Sequence, residues 1–126
     1  MQHAIDKFFN ILRQRAPGVQ ALVLLNAHGE CLGHAAVDPQ FKTEFFASEY
    51  ATFLRIARMT VKDTGMGDID EHILVSQMGV VIIRRLPEDH FAVFVSAPGE
   101  QLGRLRYELK RSLLYSTFFH YELERT

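Results

Sequence analysis

The residues best able to do chemistry in this 126-residue chain are six histidines, one cysteine and a scatter of serines. A helical zinc site needs two histidines four residues apart, and none of His3, His28, His34, His72, His90 and His120 has such a neighbour. Cys31 has no second cysteine, so neither a disulfide nor a paired-thiol metal site can form within the chain. Beside Leu32 on a strand it reads as a small apolar packing residue. Asp70 and His72 alternate onto one strand face, an arrangement that a solvated edge accounts for without a cation. Ser48, Ser76, Ser96, Ser112 and Ser116 lack the G-x-S-x-G setting of a nucleophile elbow. No G-x-x-x-x-G-K-[ST] run is present, and Gly29, Gly33, Gly65, Gly67 and Gly79 fall where turns are expected. The pattern predicts no catalytic centre, no metal and no cofactor.

Charge narrows the partners further. Arg104, Arg106, Lys110 and Arg111 follow Arg84 and Arg85, but the helix charges alternate with a leucine stripe and read as a solvated face. Glu108, Glu122 and Glu124 dilute them, the net charge is −1, and no contiguous aromatic-basic surface suits nucleic acid. With 48% hydrophobic and 23% charged residues, the chain has the composition of one globular domain over residues 1–126. No stretch nears ~18 uninterrupted apolar residues, so no membrane insertion is expected. The amphipathic start MQHAIDKFFNILRQR is not a secretory signal, and a lone cysteine fits a reducing, cytoplasmic compartment.

The elements that would position these residues alternate. Ile5, Phe8, Phe9 and Leu12 recur at helical spacing before Ala16-Pro17-Gly18 stops the helix. Gln20–Leu25 and Glu30–Val37 read as a hairpin around Asn26-Ala27-His28-Gly29. Asp38-Pro39 predicts the N-cap and first residue of a long helix that closes near Thr64-Gly65-Met66-Gly67. Strands Ile69–Gln77, Val80–Leu86 and Phe91–Ala97 follow, then a helix with Leu102, Leu105, Leu109 and Leu113 in line. Off that stripe, Leu114, Phe118 and Tyr121 are expected to pack on the first helix. The class is α/β (α+β), in the order α-ββ-α-βββ-α. Strands apolar on both faces must be covered on both. Pairing the first strand with the fifth then gives a five-stranded, mainly antiparallel sheet of order 2-1-5-4-3 with helices on both faces.

Two features of this arrangement predict association. Between Phe41 and Lys62, one arc of the long helix carries Phe41, Phe45, Ile56 and Met59, and an adjoining arc carries Phe46, Tyr50, Phe53, Leu54, Ala57 and Val61. Together they cover roughly two-thirds of the circumference, where packing on one sheet needs little more than ~100°. Which arc meets the sheet is open at this level. The charged arc holds Glu44, Arg55, Arg58 and Lys62. The third strand lies at a sheet edge and carries Ile73-Leu74-Val75, with Asp68, Asp70 and Glu71 guarding only one end.

This pattern resembles the Roadblock/dynein light chain family, in particular its bacterial MglB-like branch. The resemblance rests on the element order and on three segments: ALVLLNAHGECLGHAAV, YATFLRIARMTVKDTGMGDIDEHILVSQ and HFAVFVSAPGEQLGRLRYELKRSL. It implies a homodimer, or a heterodimer with another Roadblock domain, in which central helices pair and third strands join two sheets. It also implies a non-enzymatic regulator or scaffold of a Ras-like small GTPase, with GTPase activation as one form of that role. Carried onto this sequence, the dimer contacts are Phe45, Phe46, Tyr50, Phe53, Ile56 and Ala57 with Ile73, Leu74 and Val75. Glu44, Arg55, Arg58 and Lys62 are the residues available to a third protein. Two rival readings are an adaptor subunit that binds no GTPase and a PAS-like ligand-sensing domain, which would need an internal pocket with convergent polar groups.

Overall fold

The computed structural model describes residues 1–114. Helix α1 (Gln2–Arg15) is followed by strands β1 (Val19–Leu25) and β2 (Cys31–Ala36), then helix α2 (Thr43–Asp63). Strands β3 (Glu71–Ser76), β4 (Gly79–Leu86) and β5 (His90–Ser96) lead to helix α3 (Leu102–Leu114). The sheet is antiparallel throughout with order β2-β1-β5-β4-β3, as the strand compositions predict.

Alternation along the inner strands explains why both faces are covered. Leu22 and Leu24 of β1, Val80 and Ile82 of β4, and Ala92 and Phe94 of β5 pack with Ile5, Phe8, Phe9 and Leu12 of α1 and with Leu105, Leu109 and Leu113 of α3. The intervening residues, Val23 and Leu25, Val81 and Ile83, Phe91 and Val93, pack with α2. A two-residue side-chain period cannot fill two apolar layers unless both sets are apolar, and here both are. The outer position of β2 matches its mixed sequence, and its pairing with β1 is broken by a register shift at Leu24/Leu25.

The start of α2 corrects one expectation. Asp38 does not cap the helix: its Oδ1 accepts the Gln40 N–H at 2.8 Å, and its carbonyl accepts the Phe41 N–H at 3.1 Å. Asp-Pro suits a turn as well as a helix start, and here the turn wins. The helix begins at Thr43 after Lys42, which makes no side-chain cap. Its far end is as the sequence predicts. The Met66 N–H reaches the Val61 carbonyl, the Gly65 N–H reaches Lys62, and Gly65 takes a φ of +77°. That pair of bonds is a Schellman closure, for which glycine at the left-handed position is the favoured residue.

β3 is shorter than the Ile69–Gln77 expected. Ile69 instead turns inward and is buried with the α2 layer. The packing expected of Leu114, Phe118 and Tyr121 lies outside the described side chains.

Candidate protein-binding surface on the central helix

The burial along α2 decides which arc faces the sheet. Ala47 and Leu54 are buried, and Phe46, Tyr50, Phe53, Ala57 and Val61 pack half-buried against the same core. Phe41, Phe46, Tyr50 and Phe53 form a run of neighbouring rings, with centroid separations of 5.2, 4.4 and 6.2 Å. The run ends where Phe53 meets His72 of β3 edge-on at 4.9 Å. Of the other arc, Phe41 precedes the helix and joins the inward rings instead, whereas the rest points away from the sheet: Phe45 is 66% exposed, Ile56 57% and Met59 58%. Ile56 and Met59 adjoin on this face, and Phe45 stands about 16 Å further along it beyond the exposed Glu49 and Thr52, so the face is a candidate contact surface of mixed apolar and polar character.

The β3 hairpin adds to this. Ile73 packs toward the α1 and α3 side and Leu74 toward α2, both half-buried, while Val75 is 71% exposed and Met78 in the following turn 88%. The acidic residues at the start of the strand form ion pairs within the chain, Asp70 while staying 80% exposed. Asp68 binds Arg58, Asp70 binds Arg85 at 2.6 Å, and Glu71 holds both Arg84 of β4 and Arg106 of α3. Arg106, expected on a solvated helix face, and Arg84 are therefore partly consumed in tying β3 to its neighbours.

A groove of about 570 Å³ runs along the opposite flank of α2, between the helix and the β1–β2 turn. Asn26 builds its outer wall. The Asn26 Oδ1 accepts the N–H groups of His28 and Glu30 at 2.9 and 3.0 Å, which curls the turn. Gly29 sits at its tip with φ +80°, where an added Cβ would lie 3.2 Å from that of Ala51 on the helix. Glu44, Arg55, Arg58 and Lys62, the charged arc of the sequence, all line this groove.

These four are not equivalent. Arg58 donates from Nε and Nη2 to the two carboxylate oxygens of Asp68 at 3.0 and 2.7 Å, and its guanidinium lies 4.8 Å from the centre of the Phe91 ring. Its side chain is only 17% exposed. Those hydrogen bonds hold the Asp68 carboxyl well below the usual carboxylate range and raise the Arg58 pKa. Lys62 Nζ stands 3.8 Å from the same carboxylate but stays half-exposed. Arg55 is exposed and has no hydrogen-bond or ion-pair partner among the described residues. Arg58 thus reads as a structural cation, and Arg55 as the accessible one.

Cys31 is exposed at the start of β2 and not packed as its sequence setting suggests; it lines the groove, where partial desolvation and, to a lesser degree, the Glu44 carboxylate raise its thiol pKa. A raised thiol pKa leaves little nucleophilic thiolate.

No protein-family profile and no curated protein matches the sequence. Solved structures do match. MglB of Myxococcus xanthus aligns over 99% of this chain and 95% of its own, with a TM-score of 0.78 at 15% identity. The gliding protein MglB of Thermus thermophilus aligns over 98% and 93%, with a TM-score of 0.75 at 16% identity. A Roadblock/LC7 domain from Streptomyces avermitilis covers 90% of this chain and 92% of its own, with a TM-score of 0.72 at 16% identity.

The chain has the Roadblock/LC7 fold.

Within this Roadblock fold, the residues singled out from the sequence fall into two groups. Phe46, Tyr50, Phe53, Ala57, Ile73 and Leu74 are half-buried, whereas Phe45, Ile56 and Val75 are exposed. Sequence reasoning missed the turn Asn26–Glu30 as a groove wall and Asp68 as the partner of Arg58. The first had a signal, since an asparagine opening a hairpin turn commonly bonds its own backbone two residues on. The second had none, because no sequence periodicity joins an arginine near the end of a helix to a residue of the following loop.

Proposed function

We propose that this chain is a dimeric, non-enzymatic regulator or scaffold of a Ras-like small GTPase. The observation that carries the reading is the outward apolar line Phe45, Ile56 and Met59 on α2, in a Roadblock fold whose β3 edge bears the exposed Val75. In the dimer, β3 pairs with its counterpart and the α2 helices lie side by side, contacting through Phe46, Tyr50, Phe53 and Ala57 at their flanks. Phe45 and Ile56 lie higher on the helices, where the two copies meet or a third protein rests. The grooves with Glu44, Arg55 and Lys62 then flank this paired-helix platform. That MglB from two bacteria shares the architecture over nearly the whole chain supports the assignment.

Activation, where it occurs, takes one of two routes: Arg55 stabilises the transferring phosphoryl charge in trans, or the platform holds the GTPase's own water-positioning groups in place. The test is single-turnover GTP hydrolysis by Ras-like GTPases from the same source, with and without this protein, alongside a binding measurement. Acceleration supports a regulator, and binding without acceleration leaves a scaffold. Absence of binding to any of them, in both GTP and GDP states, overturns the GTPase reading in favour of an adaptor subunit.

A further inference from the structure

The sheet has a second open edge, β2, and its centre is occupied by a side chain. The Gln2 amide of α1 reaches the backbone of His34: Nε2 donates to the His34 carbonyl at 2.5 Å, and Oε1 accepts the His34 N–H at 3.1 Å. These are the two bonds that an opposing residue of an added antiparallel strand would make. The second Nε2 hydrogen goes to Asp6 Oδ1 at 2.8 Å, one helical turn on, which fixes the way the amide faces.

The position of the contact matters as much as its chemistry. Val37 donates inward to Gln20 of β1, so the odd-numbered residues of β2 turn their backbone groups toward β1. His34 and Ala36 then turn theirs outward, by the alternation of an antiparallel ladder, until the register shift that skips Leu32, beyond which Glu30 faces β1 by accepting the Asn26 N–H. Gln2 takes His34, the outward residue nearest the shift, and the bulge and the amide together interrupt any continuous ladder along the edge. Gly33 makes the approach possible. A Cβ there would lie 2.3 Å from Ile5 Cδ1 and 2.9 Å from Gln2 Oε1, so a side chain would displace both side-chain ends, the Gln2 amide among them.

We propose that Gln2 is a latch that takes the place of an added strand on β2, so that this edge is closed to strand pairing with a second copy of the chain. Unpaired edges template pairing with another chain, and a sheet open at both edges can extend into open-ended assemblies. With β2 latched, self-association is confined to surfaces other than that edge. The latch stands independently of the GTPase reading.

The test uses Gln2→Ala and Gln2→Asn, the second too short by one methylene to reach His34, each alone and combined with Leu74→Lys to disable β3. Hydrogen exchange at the His34 amide and sedimentation velocity over a range of concentrations are measured. Both Gln2 variants should exchange the His34 amide about tenfold faster or more in the monomer. In the Leu74→Lys background they should self-associate at least about tenfold more tightly than Leu74→Lys alone. Unchanged exchange overturns the latch, even if association increases, because the new contact then belongs to another surface. Faster exchange without added association overturns it too, since the bond would guard nothing. Failure of Leu74→Lys itself to reduce self-association would count against the proposed β3 dimer, while the Gln2 comparison would still decide the latch.

Discussion

Arg58 and Asp68 show how one residue's chemistry can be diverted from partner binding to the fold. The pair is bidentate, largely shielded and braced by the Phe91 ring, so it fastens the end of α2 to the loop entering β3. Hydrogen bonds to charged groups contribute ~1.5–3 kcal/mol, so Asp68→Asn should lower stability by about that amount at neutral pH in urea titration. The pH dependence has a definite sign. Asp68 titrates below its unfolded value of about 3.9, so its contribution is complete above that pH and is lost as the pH falls toward the folded pKa. Below pH ~4 the parent's stability should therefore drop more steeply than that of Asp68→Asn. Parallel stability–pH curves would show that the pair is not linked to acid unfolding. Arg55, exposed and without a partner among the described residues, should behave oppositely. Arg55→Ala should leave stability within ~0.5 kcal/mol, since surface changes away from special contacts do little. If Arg55 acts in trans, the same variant should remove most of any GTPase acceleration, read in the hydrolysis assay. Retained acceleration would assign activation to the positioning route.

Helix α2 carries two comparable apolar arcs, and their separation shows in substitutions. Leu54→Ala removes a buried side chain and should destabilise by ~2–5 kcal/mol. Phe45→Ser, on the outward arc, should change monomer stability by no more than ~0.5 kcal/mol while weakening association or partner binding. Chemical denaturation in the Leu74→Lys background checks both without interference from β3 pairing. The existence of two arcs was legible in the sequence because helical period fixes relative angles around an axis. Which arc faces the sheet was not, because Phe46-Tyr50-Phe53 and Phe45-Ile56-Met59 offer similar apolar bulk. The sheet could not arbitrate, being apolar on both of its own faces. Strand order was legible for the same reason: only β1, β4 and β5 are apolar on both faces, so β2 and β3 must be the edges. Asp38-Pro39 misled because its local chemistry serves a turn and a helix start alike. The Gln2–His34 contact joins positions 32 residues apart through a polar side chain, and neither propensity nor periodicity encodes such a pair.

At the scale of the whole molecule, the two layers are unequal in what they leave uncovered. α1 and α3 share one face of the sheet, whereas α2 alone covers the other, with its aromatic flank only half-buried beside β3. The surfaces that remain are contiguous in kind: half-buried rings along α2, the edge of β3 and the exposed Val75. If two copies bury them against each other, folding and association become one equilibrium, and stability must depend on concentration. For a 126-residue chain unfolding from a dimer, each tenfold rise in concentration should lift the Tm by roughly 3 °C. Leu74→Lys places a charge on the half-buried α2 side of β3, beside the proposed strand and helix contacts, and should flatten that dependence, with circular dichroism checking that the monomer keeps its helix and strand content. Thermal melts over two decades of concentration, paired with light scattering, separate the alternatives. A concentration-independent Tm and a monomeric mass for the parent would mean that the exposed line on α2 is covered by a different protein or by none. A dependence that survives Leu74→Lys would move the dimer contact from the β3 edge to the helices alone.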